Sequence, residues 1–170
     1  MSKGMVHIYT GDGKGKTSSA MGLAIRCTGY GKNVTVYQFL KATPTGELLS
    51  LEKLGIKVIR VNTCEKFYYE MNDEEKLVTK TETEGILKAL MLENTDLLIL
   101  DEILCAVNNK IIYVDSVTDI IKNKRYNTEL VLTGRNAPEA LLKYADYVSE
   151  IKCIKHPYNA GVDARCGIDF

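Results

Sequence analysis

Residues 5–20 read M-V-H-I-Y-T-G-D-G-K-G-K-T-S-S-A, and no other stretch restricts the chain as strongly. A short apolar run, residues 5–9, passes at once into a loop with glycines at 11, 13 and 15. Lys16 and Thr17 follow, and then a segment able to form a helix. Strand, glycine-rich loop and helix start, in that order, make a cradle for phosphate. Glycine lets the backbone turn tightly and come close to an anion. The free N–H groups and the dipole of the helix start favour negative charge there.

The pattern that describes such a P-loop is G-x-x-x-x-G-K-[ST]. Gly15, Lys16 and Thr17 satisfy its second half, but its first position is Thr10, and the glycines stand at 11 and 13 instead. A flexible glycine–lysine turn is the alternative. The strand before and the helix after favour the cradle, with Lys16 on phosphate oxygens and the Thr17 hydroxyl on Mg²⁺.

A chain of 170 residues is long enough for one domain with a substantial core. Its net charge of zero supplies no field to draw it to nucleic acid or an anionic membrane, so a nucleotide must be held by local groups. No apolar run reaches the ~20 residues of a membrane span, and no signal-peptide pattern opens the chain, so the expected location is the cytoplasm. The cysteines are 27, 64, 105, 153 and 166. Five with no C-x-x-C pair argue against a disulfide framework or a zinc site, and most are expected to be buried. His7 falls in the first strand, where a structural role is expected.

Helix is expected over residues 16–30, 47–54, 72–92, 115–122 and 138–144. Asn72 with Glu75 has capping-box spacing, and Pro138 suits a first helical turn. Strand is expected over 34–40, 56–61, 97–100, 129–133 and 147–154, the last at an edge. Alternation of the two, with the cradle, predicts a three-layer α/β fold of P-loop NTPase (RecA-like) type with a mainly parallel sheet. The run Leu97-Leu98-Ile99-Leu100 suits a central strand covered on both faces.

That run ends in Asp101-Glu102. Acidic residues at the carboxyl end of such a strand lie near the phosphate loop and can hold Mg²⁺ directly or through water. Arg135, after Thr133-Gly134, is a candidate phosphate or substrate contact, or an ordinary surface arginine. Phe67, Tyr68 and Tyr69 sit in a polar stretch, where they are either buried beneath the loop or form a stacking surface for a flat ligand.

Taken together, these residues resemble the P-loop type of ATP:corrinoid adenosyltransferase. Residues 10–20 (T-G-D-G-K-G-K-T-S-S-A) are similar to that family's loop, displaced glycine included. Residues 98–102 resemble its acidic strand end, and residues 155–170 (K-H-P-Y-N-A-G-V-D-A-R-C-G-I-D-F) its terminal signature. Residues 29–34, 38–41 and 133–135 also fall where the family pattern puts them. The resemblance implies a reversed ATP whose C5′ is attacked by Co(I) of a corrinoid, with triphosphate as leaving group. It implies Gly11, Asp12, Gly13, Lys14, Gly15, Lys16, Thr17 and Ser18 as the triphosphate cradle. Thr17, Asp101 and Glu102 are implied for Mg²⁺, Arg26 and Arg135 for ATP, and Phe67 and Tyr69 for the lower face of the corrin. Lys16, Thr17 and Glu102 are the implied catalytic set. Such an aromatic pair keeps the lower ligand off cobalt and eases reduction to Co(I). Tyr69 stands where a tryptophan is typical. The N-terminal helical arm of some members has no counterpart ahead of the first strand, so the expected corrinoid pocket is open or covered by a second subunit.

The resemblance further implies a flavoprotein reductase as partner and a homodimer. Two other readings use the same residues. A phosphotransferase or ATPase would hold ATP in the ordinary direction, and a carrier would bind corrinoid or nucleotide without turnover.

Overall fold

The computed structural model describes residues 2–41, 44–61 and 68–170, the side chain of Tyr69 apart. Six strands form one parallel sheet: β1 (Val6–Thr10), β2 (Val34–Gln38), β3 (Lys57–Arg60), β4 (Leu97–Asp101), β5 (Glu129–Thr133) and β6 (Tyr147–Glu150). Their order is β3-β2-β4-β5-β1-β6, so the expected three-layer α/β architecture is what the chain adopts. β6 lies at an edge with all four residues exposed, and it is shorter than the expected 147–154.

The strands put alternate residues on opposite faces, and each face meets its own helices. Ile8, Leu98, Leu100, Leu130 and Leu132 pack towards α3 (Asp73–Leu90), α4 (Ile103–Asn108), α5 (Val114–Asn123) and α6 (Glu139–Leu142). Val36, Leu97, Ile99 and Val131 pack towards α1 (Lys16–Thr28) and α2 (Gly46–Lys53). β4 is wholly buried because both faces are covered, which is why it reads as an unbroken apolar run. Truncating Ile99 to alanine in such a place costs about 2–5 kcal/mol.

The Asn72 side chain accepts from the Glu75 N–H at 2.9 Å, and the Glu75 carboxylate accepts from the Asn72 N–H at 2.8 Å. That capping box starts α3 as expected. Pro138 precedes α6 as its N-cap residue. α4 is a helix the sequence patterns did not indicate. It has six residues and starts from Glu102 in a left-handed conformation, so it lacks both a polar cap and a full amphipathic turn pattern.

His7 does serve the fold. Its Nε2 lies 2.6 Å from Glu129 Oε1, and its ring stacks on Tyr147 at 4.5 Å. The cysteines depart from expectation: Cys27, Cys105 and Cys153 are half-buried and Cys166 is exposed. Cys64 lies outside the described residues.

Candidate active site

The carboxyl ends of the parallel strands all face one way, and the loops that leave them enclose a cavity of about 1010 Å³. Residues 12–18 line it, with Glu102 beyond β4 and Arg135 beyond β5.

The cradle is stitched to the edge strand. Ile151 N–H donates to Thr10 O at 2.8 Å, and Gly13 N–H donates to Ile151 O at 2.8 Å. Cys153 N–H reaches Asp12 Oδ1 at 3.1 Å. This accounts for the displaced glycine. A Cβ on Gly11 would stand 2.4 Å from Ile151 O, and one on Gly13 would stand 2.7 Å from Lys152 O. Gly11 also has φ +104. Gly15 differs: its φ of +125 demands glycine, yet open space surrounds its Cβ position, on the cavity side. Gly11 therefore works from behind the cradle and does not line the cavity.

Lys16 is nearly buried, and its ammonium donates to Gly13 O at 2.8 Å, curling back over the loop. Thr17 Oγ1 donates to Asp101 Oδ1 at 3.0 Å. β1 and β4 are not neighbours, because β5 runs between them. α1 carries the Thr17 hydroxyl over that intervening strand, whose last side chain meets the same carboxylate oxygen. Thr133, the last residue of β5, donates to Asp101 Oδ1 at 2.7 Å and accepts the Glu102 N–H at 2.9 Å.

Asp101 is completely buried, and Lys41 Nζ sits 2.7 Å from its Oδ2. Both carboxylate oxygens are thus engaged. Glu102 is half-buried, reaches the cavity, and holds φ +62, a left-handed conformation that a non-glycine residue keeps only when its surroundings enforce it. Cys105 lies close by, and burial, then the Glu102 carboxylate, push its thiol up to about 11.

The chain end forms the opposite wall. Lys155, Tyr158, Arg165 and Phe170 line the cavity. Lys14 Nζ meets Asp169 Oδ1 at 2.7 Å and Ile168 O at 2.9 Å, and Arg165 Nε meets Asp169 Oδ2 at 3.2 Å. The Lys14 hydrogen bond first, then the Arg165 backbone, hold the Asp169 carboxyl well below the usual range.

Lys14 to Ser18, Glu102 and Arg135 therefore come together, with Asp101 one layer behind. Arg26 does not join them. It is exposed, outside the cavity wall, and its charge acts on Tyr9. Phe67 and the side chain of Tyr69 lie outside the described residues. Sequence reasoning gave no role to Lys41, Thr133, Lys155 or Arg165. Thr133 ends β5 and Lys41 follows β2, so the strand-end rule applied to every strand would have marked these two, whereas Lys155 and Arg165 sit in the segment after β6.

The donor set suits a magnesium ion. Thr17 Oγ1 gives its proton to Asp101 and keeps a lone pair for a cation. The Gln38 amide is completely buried, and neither of its polar atoms has a partner among the described residues. The register Gln38↔Asp101 puts that amide on the same face as the carboxylate.

Comparison with known proteins agrees with this geometry. The family profile described as ATP:corrinoid adenosyltransferase BtuR/CobO/CobP matches residues 2–170. A corrinoid adenosyltransferase of Escherichia coli is 31% identical, covering 99% of this chain and 86% of its own. One from a Sinorhizobium species is 36% identical, with 99% and 81% covered. In structure the chain is similar to a KaiC-like protein of Pyrococcus horikoshii, with a TM-score of 0.53, 17% identity, and 88% and 73% covered. That likeness speaks for the fold. Sequence, cradle and fold agree, and the chain belongs to the ATP:corrinoid adenosyltransferase family.

Proposed function

We propose that this chain, acting as one domain, transfers the 5′-deoxyadenosyl group of ATP to Co(I) of a corrinoid and releases triphosphate. Cobalamin, cobinamide and cobyrinic acid a,c-diamide are the substrate class, and adenosylcobalamin synthesis or salvage is the setting. The cobalt(I) lone pair attacks C5′, the C5′–O bond breaks, and its electron pair leaves with the triphosphate. Cobalt is formally oxidised to an alkyl-Co(III), and no proton transfer to or from C5′ is required.

The observation that carries this reading is the cradle. Lys16 and Thr17 stand at the start of α1, and Lys14, Arg135, Lys155 and Arg165 border the same cavity. These cations hold the leaving group and neutralise its growing charge. Lys16 would leave Gly13 O for a phosphate oxygen. Thr17 would ligate Mg²⁺, and Asp101 and Glu102 would hold it directly or through water. When bound, Mg²⁺ neutralises triphosphate charge as a Lewis acid. Phe67 and Tyr69 remain the proposed floor for the corrin, and Phe67→Ala should impair the reaction from Co(II) more than from chemically made Co(I).

A flavoprotein reductase, a homodimer and a cytoplasmic location complete the proposal. No helix among the described residues is long and apolar enough to cross a membrane.

The test is the phosphate product. The protein is incubated without oxygen with Mg·ATP and reduced cob(I)alamin. Triphosphate and light-sensitive adenosylcobalamin in equal amounts are expected. ADP and phosphate with unchanged corrinoid would show an ATPase or phosphotransferase, and spectral change without product a carrier.

A further inference from the structure

One of the site's cations sits among donors that suit a metal. Lys41 follows β2, and its ammonium sits 2.7 Å from Asp101 Oδ2, 3.3 Å from Thr17 Oγ1 and 3.9 Å from Glu47 Oε1. Two carboxylates and a threonine hydroxyl around one positive centre are the donors a hard divalent cation takes. Asp101 is completely buried, and the Lys41 side chain is 22% exposed, so water screens the pair little. The backbone is bent to bring the ammonium there. Leu40, the residue before Lys41, has φ +55, which a bulky side chain adopts only under constraint.

We propose that Lys41 is a resident counter-ion at the magnesium position. Its ammonium neutralises Asp101 and keeps free divalent cation out until the metal arrives bound to nucleotide. This inference rests on the reading of the cavity as a Mg·ATP site. Metal and ammonium cannot both lie against Thr17 Oγ1 and Asp101 Oδ2. An incoming triphosphate supplies the ammonium with a new anionic partner, and Lys41 borders the same cavity as Lys14, Lys16 and Thr17. A four-carbon stem with rotatable donors permits that exchange, which a planar guanidinium would restrict. Lys41 is thus a positioning residue that couples metal entry to nucleotide entry, and the buried Gln38 amide, without a partner among the described residues, lies on the same face of the sheet.

The probe is Mn²⁺ alone, followed by electron paramagnetic resonance as it is titrated into the whole protein. In the unaltered protein, Mn²⁺ should bind poorly by itself and much more tightly once ATP is present. In Lys41→Met, which keeps the stem and removes the charge, affinity for Mn²⁺ alone should rise by about tenfold or more. The same variant should lose affinity for metal-free ATP by a larger factor than for Mg·ATP, because its ammonium no longer substitutes for the metal. Lys41→Gln, which also removes the charge, should admit Mn²⁺ in the same way, and it serves as the test if the methionine variant does not fold. Equal Mn²⁺ affinity in the unaltered and methionine variants would overturn the proposal. So would tight Mn²⁺ binding to the unaltered protein without ATP. Because no corrinoid enters these titrations, their outcome is separate from that of the product assay.

Discussion

Two ion-paired groups border one cavity and differ in almost everything but charge. At its base, Asp101 is completely buried and takes Thr17, Thr133 and Lys41 on its two oxygens. At its outer wall, Asp169 takes Lys14 and Arg165 from an exposed chain end. The base is carried by strands inside the sheet, so its geometry is set when the core forms. The wall is carried by a segment without strand or helix beyond a short 3₁₀ turn at Pro157–Ala160, so its geometry rests on the pairs themselves. Burial makes Asp101 and its two threonines part of the fold, whereas the exposed Asp169 is free to exchange partners.

The strongest way to break this contrast is Asp101→Ala. It strands Lys41 and removes the acceptor that ties α1 and β5 to β4. A loss of about 3–5 kcal/mol is expected, read as a lowered denaturant midpoint with unchanged slope. A loss below about 1 kcal/mol would mean that the base is no more rigid than the wall.

Thr133→Val comes next. It removes one donor from Asp101 and the acceptor of the Glu102 N–H, and a cost of about 1–3 kcal/mol is expected. The turnover number should fall along with stability, because Glu102 loses the hydrogen bond that fixes its left-handed turn. Turnover equal to that of the unaltered protein would separate Glu102 from this support.

Asp169→Asn should leave the unfolding midpoint nearly unchanged. It should tighten triphosphate binding, because Lys14 and Arg165 are then free to pair with phosphate. Acid should act in the same direction. The Asp169 carboxyl is held below its ordinary value, so the pairing is complete above that value, about 3.9, and is lost only as pH falls below it. A chain end that detaches nearer neutral pH, seen as faster amide exchange there, would assign the wall to another group.

The smallest effect concerns thiols. Cys166 is exposed, whereas the Cys105 thiol is pushed up to about 11 by burial and the neighbouring Glu102. Iodoacetamide should label Cys166 well before Cys105 near neutral pH, as peptide mass analysis would show. The reverse order would make the base the more open region.

The sheet was legible because its signals are local. The apolar run of β4, the β-branched residues of β2 and the capping box of α3 each lie within one element. So was the placement of Lys16 and Thr17 on the cavity, which follows from a loop between a strand and a helix. What stayed hidden depends on strand order. The strand-end rule marks Thr133, but nothing adjacent in sequence says that β5 lies beside β4, so its bond to Asp101 could not be read. Lys41 was quoted within a pattern but given no role, because its partner is sixty residues away. Arg26 was placed by analogy, and a helix turns each residue about 100° from the last, enough to move a side chain off the cavity wall.

The displaced glycine has a last consequence. The backbone of residues 151–152 leaves no room for a Cβ at Gly11 or Gly13. The motif is therefore not a portable module, and grafting residues 10–17 onto another sheet would bring their odd spacing without the neighbour that requires it. The two parts are bound to vary together. Where the stretch after β6 withdraws from the loop, a side chain becomes admissible at position 13, whereas Gly11 and Gly15, with φ of +104 and +125, stay fixed.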